Sequence, residues 1–144
     1  MTSRKDFLSM AVVGAASMLT SAAATAQTSP PKNKAVFQVS DADPQKWNLT
    51  LNNVRNVSDD LGADAVELEI VVYGPGIGML KADSPVGKRV AEALKNGVKV
   101  VACENTMKGQ HLVYADMLPN IGYVSAGVVE LMVKQREGYA YIRP

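Results

Sequence analysis

The sequence predicts an α/β fold: a single three-layer domain with a five-stranded, mostly parallel sheet flanked by helices, of the flavodoxin-like or Rossmann-like kind. Three observations predict it. Short apolar runs alternate with amphipathic stretches of helical period along nearly all of the chain after residue 34. The connections between them are short, as in βαβ units. The chain has 144 residues, 47% of them hydrophobic, which suits one globular domain.

The first half of the domain has clear start and stop signals. Asp43 followed by Pro44 is typical of the start of a helix, and Gly62 is typical of its end. The second strand changes from alternating to continuous apolar character, which indicates a strand entering a sheet covered on both faces. The predicted elements are strand 35–40, helix 45–61, strand 66–73 and the glycine-rich loop 74–80.

The second half continues the alternation. Ser84, before a proline, starts its first helix, and Gly97 ends it. In the last helix we expect Val128, Leu131 and Met132 to face the sheet. The predicted elements are helix 84–96, strand 98–103, helix 107–117, strand 121–126, helix 127–136 and strand 139–142.

Charge and composition exclude several classes of function. Fifteen Lys and Arg against fourteen Asp and Glu give a formal charge of +1, so nucleic acid is not an expected partner. Cys103 and His111 are the only residues of their types, which excludes an internal disulfide and leaves too few ligands for a zinc site. The glycine loop 74–80 matches neither the P-loop nor the dinucleotide fingerprint. We therefore predict no metal and no cofactor.

The amino-terminal segment resembles a cleavable export signal. Arg4 and Lys5 precede an apolar stretch of small residues, 7–19, and a small-x-small pattern ends at Ala26, where we expect cleavage. The stretch is too short and too weakly apolar for a stable membrane span. The alternative is a buried helix of the mature fold.

The export signal sets the predicted organisation and location. The residues around Arg4 also resemble a twin-arginine signal, with Lys5 in place of the second arginine. We expect a periplasmic protein, exported by a signal peptide through the twin-arginine or the general route. The predicted division of the chain is signal 1–26, linker 27–34 and domain 35–144.

Candidate site residues follow from the strand ends, because open parallel sheets bind ligands beyond the carboxyl ends of their strands. The predicted strand exits are 40–41, 74–78, 103–106 and 126–127. Cys103 is the only strong nucleophile among them and is the candidate catalytic residue. The candidate binding residues surround it or lie on the glycine loop: Glu104, Asn105, Thr106, Gly74, Pro75, Gly76 and Gly78.

Two interpretations of Cys103 are open. At a strand exit before a helix, a thiolate faces backbone N–H groups that would lower its pKa, although Glu104 would act against them. Alternatively, Cys103 is the last buried residue of an apolar strand. His111, eight residues later on the predicted third helix, is either its partner or a polar surface residue.

Several segments together resemble the DsrE/DsrF-like family of small sulfur-relay proteins. They are residues 71–76, 100–107, 126–131 and 135–144. The resemblance implies a homo-oligomeric α/β domain and, in some members, a cysteine that accepts sulfur as a persulfide and passes it to a partner. Cys103 is the only residue that could match this cysteine. Family members of known relay function work in the cytoplasm, whereas we expect this chain to be exported.

Two functions follow as hypotheses. The first is an exported sulfur carrier that receives sulfur on Cys103 from a donor and delivers it to an acceptor protein, with Asn105 and Thr106 steadying the anionic sulfur. The second is a non-catalytic homo-oligomeric module that binds a small ligand or a protein at the strand ends. Whether the protein is an enzyme is left open by both.

Overall fold

A computed structural model describes residues 32–144 and, separately, Gly14; the predicted signal, 1–26, otherwise lies outside the described residues. The predicted α/β class is confirmed, with a five-stranded sheet in residues 32–144. The strands are Asn33–Val39 (β1), Val66–Val72 (β2), Lys99–Cys103 (β3), Gly122–Val124 (β4) and Ala140–Ile142 (β5). The helices are Pro44–Leu61 (α1), Gly87–Lys95 (α2), Glu104–Gly109 (α3) and Gly127–Arg136 (α4). Short 3₁₀ turns span Ala63–Ala65, Gly74–Leu80 and Tyr114–Asp116.

All pairings in the sheet are parallel, and the strand order is β4-β3-β2-β1-β5. From β1 to β4 the chain steps in one direction across the sheet. It then returns through α4 to place β5 on the far side of β1. Within residues 32–144, no helix has the length and apolar character needed to cross a membrane.

The two faces of the sheet are covered unequally. The helices α1, α2 and α3 lie on one face, where Trp47, Val90 and Met107 pack against alternate strand residues in the main core. Only α4 lies on the other face, where its Leu131 joins a smaller apolar cluster. We call this second side the α4 face; its buried apolar strand residues are Val36, Val71 and Val101.

The first helix begins and ends as its sequence predicts. The Asp43 carboxylate accepts a hydrogen bond from the Gln45 N–H at 2.9 Å, and Pro44 occupies the first helical position. At the other end Gly62 has φ 90°, a left-handed conformation that favours glycine. This helix carries the chain from β1 back to the start of β2.

The third helix differs from its prediction over 107–117. It ends at Gly109, because His111 adopts a left-handed conformation with φ 55° and the Leu112 N–H bonds to the Met107 carbonyl at 2.8 Å. This is the Schellman ending of a helix. His111 therefore lies beyond α3 rather than two turns inside a longer helix.

The inner side of α4 also differs from its prediction. Leu131 is buried as expected, but Val128 and Met132 are 54% and 53% exposed. The sheet-facing residues follow helical spacing and are Gly127, Glu130, Leu131 and Lys134. The charged residues Glu130 and Lys134 therefore face the sheet, where the sequence pattern predicted Val128 and Met132.

Candidate functional site

The chain changes face between β3 and β4. The end of β3 leads into α3, whereas its neighbour β4 leads into α4 on the opposite face. Ligands of parallel sheets bind at the carboxyl ends of strands where such a change occurs. Cys103 is the last residue of β3 and pairs in register with Val124 of β4, so it lies at this switch point.

The Cys103 side chain is buried, with 5% of its surface exposed. Its Sγ lies 3.9 Å from the Ser125 carbonyl oxygen, which accepts a hydrogen bond from the protonated thiol. Backbone N–H groups of Gly127 and Thr106 also reach the sulfur. The sulfur therefore has an acceptor for its proton and donors for its anionic form.

The Thr106 hydroxyl joins the glycine loop to Cys103. It accepts a hydrogen bond from the Gly74 N–H at 2.8 Å, and Gly74 has φ 57°. A hydroxyl has one proton to donate, and this bond leaves that proton free for the sulfur. The Gln110 side-chain amide donates a hydrogen bond to the Gly74 carbonyl at 3.4 Å, so both backbone groups of Gly74 are bonded to residues after β3.

These contacts decide the acidity of the cysteine. Burial raises the pKa of the Cys103 thiol, but hydrogen bonds from the Thr106 hydroxyl and from the N–H groups of Gly127, Thr106 and Asn105 lower it more. The pKa consequently lies below its ordinary value, as is typical of reactive cysteines. The Asn105 N–H also donates to the Ser125 carbonyl at 3.2 Å.

Gly76 and Gly78 of the glycine loop pack closely on neighbouring elements. A Cβ on Gly76 would lie 2.7 Å from the Val39 carbonyl oxygen, so the loop rests directly on the end of β1. A Cβ on Gly78 would lie 3.2 Å from the Trp47 ring. Pro75 is exposed at the top of the loop. Of the loop residues, Gly74 has the hydrogen-bonded connection to the cysteine through Thr106.

The Glu104 side chain points away from Cys103, toward Tyr114. Its carboxylate accepts a hydrogen bond from the Tyr114 hydroxyl, and Tyr114 stacks at a tilt on Tyr123 with 4.4 Å between ring centroids. These residues border an open groove of about 320 Å³, lined by Glu104, Met107, Lys108, Leu112, Val113 and Tyr114. Cys103 is not part of that lining, so the predicted binding residues divide between two places.

Sequence reasoning missed two neighbours of Cys103. It named the exit 126–127 but not Gly127 as a contact of the sulfur. A Cβ on Gly127 would lie 2.9 Å from Tyr73 Cβ, so the start of α4 packs closely on Tyr73. Burial and, to a smaller extent, the nearby Tyr141 and Cys103 raise the pKa of Tyr73, which keeps its hydroxyl protonated. The sequence signal available for the Gly127 contact was a glycine at the start of a helix that follows a short strand.

Within the described residues, no three His, Cys, Asp or Glu side chains come together in an arrangement that could hold a metal ion. The arrangement around Cys103 can instead stabilise an anionic sulfur.

Comparisons with known proteins agree on fold and family. The sequence matches the model of the DsrE/DsrF-like family over residues 15–144. The structure is similar to a protein of unknown function, MTH1491 from Methanobacterium thermoautotrophicum, with 35% identity and a TM-score of 0.75, covering 78% of this chain and 100% of that one. It also resembles a conserved protein of unknown function, BT1422 from Bacteroides thetaiotaomicron, with 13% identity, a TM-score of 0.64 and coverage of 78% and 95%. No curated protein matches the chain.

Proposed function

The chain belongs to the DsrE/DsrF-like family, and from this premise we propose that it is a sulfur carrier whose Cys103 accepts sulfane sulfur as a persulfide and passes it to a partner protein. The observation that carries the proposal is the set of hydrogen-bond donors from Thr106 and Gly127 around the buried Cys103 sulfur, which lowers the pKa of the thiol. A thiolate is the nucleophilic form of cysteine. The same donors would stabilise the terminal sulfur of a persulfide.

The transfer step conserves atoms and electrons. The Cys103 thiolate attacks the sulfane sulfur of a persulfide or of thiosulfate, and a bond forms between Sγ and that sulfur. The sulfur–sulfur bond of the donor breaks, and the donor leaves as a thiolate or as sulfite, so no separate oxidant is needed. Delivery to an acceptor is the same exchange in reverse. Because Cys103 is only 5% exposed, a small donor suits the site.

Intact mass tests sulfur loading directly. After incubation with thiosulfate or polysulfide, we expect the protein to gain about 32 Da, one sulfur atom, and to lose it on reduction. The Cys103→Ser variant, which keeps the size of the side chain, should show no gain. An unchanged wild-type mass, with slow alkylation of Cys103 in the folded protein, would contradict the proposal.

Thr106 offers a matched pair of variants for the same experiment. Thr106→Val removes the hydroxyl at nearly constant volume, so we expect the pKa of Cys103 to rise and sulfur loading at neutral pH to slow. Thr106→Ser keeps the hydroxyl and should behave like the wild type. The measurement is the rate of Cys103 alkylation against pH. Equal profiles for the valine and serine variants would show that the hydroxyl does not act on the sulfur.

The second candidate function is a non-catalytic module that binds a ligand or protein at the strand ends. The groove beside Glu104 favours it, because Val113 and Tyr114 at its edge are 62% and 61% exposed. Under this alternative, Cys103→Ser would leave binding and assembly unchanged.

We also propose that the protein forms a homo-oligomer. The outer side of α4 supports this, since Val128, Val129 and Met132 are each at least half exposed there. Light scattering of the wild type and of Met132→Glu checks the assembly, and equal masses for the two would count against this contact.

Export remains part of the proposal. Residues 1–26 carry the features of a signal peptide, and residues 35–144 would form the mature domain after a short linker. Amino-terminal sequencing of protein from a periplasmic extract should begin at Gln27. Protein recovered with Met1 still in place would argue against both export and the periplasmic location.

A further inference from the structure

The α4 face holds a buried carboxyl group that the cysteine site does not use. Glu69, in the middle of β2, is 2% exposed. Lys134 of α4 reaches its Oε2 at 3.3 Å and the Glu130 carboxylate at 3.8 Å. The Lys134 side chain is 13% exposed and that of Glu130 is 21% exposed, so the three groups are largely shielded from water. We call them the α4 triad.

One oxygen of this triad lacks a donor. Among the described residues, none donates a hydrogen bond to the buried Oε1 of Glu69. Because the Lys134 ammonium contacts both carboxyl groups, at 3.3 and 3.8 Å, the Glu130 carboxyl lies beside that of Glu69. Two carboxylates cannot hydrogen-bond to each other, because both are acceptors; one proton between them supplies the missing donor. It also neutralises the excess negative charge that one lysine cannot balance.

The other charged groups around Glu69 do not supply that donor. On α4, Lys134 also contacts Glu137 at 3.4 Å. Tyr139 donates its hydroxyl to Glu67 at 2.8 Å, and its ring lies under the ammonium groups of Lys134 and Lys34, at 5.1 and 5.5 Å. Beside Glu69 in the sheet stand Val36 of β1, which is apolar, and Lys99 of β3, which is exposed.

Apolar packing between α4 and the sheet is limited. Leu131 is the large apolar side chain that α4 buries, and its cluster on the α4 face is small. Glu130 lies in the first turn of α4, three residues after Gly127. Gly127 in turn packs on Tyr73 and directs its N–H at the Cys103 sulfur. A change in the triad therefore acts close to the residue that contacts the cysteine.

We propose that a proton shared by Glu69 and Glu130 holds α4 against the sheet, and that loss of this proton moves the start of α4, with Gly127, away from Cys103. Two neighbouring carboxylates would then repel each other across the junction of β2 and α4. The sulfur would become more accessible and would lose one of its hydrogen bonds. The fold thus contains a pH-sensitive control of cysteine reactivity that is separate from the ionisation of the thiol.

The direction of the pH effect follows from burial. Burial, together with the hydrogen bond to Glu130, raises the pKa of Glu69 from 4.5 to about 7, against the opposing effect of Lys134. The folded protein therefore binds this proton more tightly than the unfolded chain. The contribution of Glu69 to the free energy of unfolding is therefore largest below about pH 4.5, decreases as the pH rises to about 7, and changes no further above it.

Thermal unfolding of Glu69→Gln against pH is the first test. The glutamine amide imitates the protonated carboxyl, since it can donate to Glu130 at any pH. We expect the wild type to lose several degrees of melting temperature between about pH 5 and pH 8, and Glu69→Gln to lose much less. Glu67→Gln is the matched control, because Glu67 lies on the same strand but its pKa is lowered, chiefly by the Tyr139 hydroxyl. A Glu69→Gln profile that follows the wild type would overturn the proposal.

Alkylation of Cys103 tests the connection to the site and does not require that the protein carries sulfur. After correction for the thiolate fraction, we expect the wild type to react several-fold faster than Glu69→Gln at about pH 8 and equally fast at about pH 5. Equal rates at both pH values would refute the movement of α4. Carbon-13 NMR of glutamate carboxyls in the wild type covers the case of a variant that does not fold: a titration of Glu69 near its ordinary pKa would refute the shared proton.

Discussion

Replacing Lys134 by methionine should destabilise the protein by about 3 kcal/mol at pH 8, because removal of one partner from a buried ion pair typically costs about 3–5 kcal/mol. Methionine preserves most of the packing of the lysine stem. Without the cation, Glu69 and Glu130 either repel each other at pH 8 or retain the shared proton, and retaining a proton at that pH also costs free energy. At pH 5 Glu69 is protonated, and the loss of stability should be much smaller. Denaturant unfolding at both pH values measures the difference.

Arg136 provides the control for this experiment. It lies two residues later on the same helix and is exposed. Arg136→Met therefore removes an equal charge without uncovering a buried carboxylate, and its effect should stay within about 0.5 kcal/mol at either pH. If the two variants lose the same stability, the buried ion pair does not hold α4.

Gly76→Ala should destabilise the protein by about 3 kcal/mol, at the upper end of the range for overpacking. The new Cβ would lie 2.7 Å from the Val39 carbonyl oxygen and 3.0 Å from the Ser40 Cα. Both are backbone atoms, so no side-chain rotation relieves the contact. The loop must move, and with it Gly74, which holds the Thr106 hydroxyl. We therefore expect a raised pKa of Cys103 as well as lower stability.

Gly109→Ala is the matched control. Gly109 lies in α3, where a Cβ would meet nothing within 4 Å. Alanine is favoured over glycine inside a helix by up to about 1 kcal/mol, so this variant should be neutral or slightly stabilised. Comparable losses at Gly76 and Gly109 in urea unfolding would show that close packing on β1 is not the cause.

Much of the fold could be predicted because its signals are local. The Asp43–Pro44 start and the Gly62 end of α1 act within one turn of the helix. The strands were predicted from contiguous apolar runs, and the chain supplied no competing pattern. The end of α3 was missed because it depends on His111 adopting a left-handed conformation, which a non-glycine residue rarely does.

The parts of the site that could not be predicted from the sequence depend on contacts between residues far apart in the chain. The alternating pattern around Glu69 predicts a strand whether or not the Glu69 side chain is buried. Its ion-pair partner, Lys134, lies on a helix far along the chain. The wrong assignment of Val128 and Met132 to the inner side of α4 has the same origin, because hydrophobicity alone could not show that charged residues face the sheet. Thr106 lies three residues after Cys103 and could be selected from the sequence, whereas the N–H of Gly127 comes from another strand exit.

The pairing of β5 with β1 has a consequence for how the chain folds. Ala35 and Ala140 are register partners, so the sheet brings together segments from opposite ends of the domain. Such long-range pairing forms slowly, because the intervening chain must be ordered first. Until β5 arrives, the edge of β1 is open to pairing with another chain. In the finished sheet the outer strand is β5, which has three residues, so the edge left for such pairing is much shorter than the seven residues of β1.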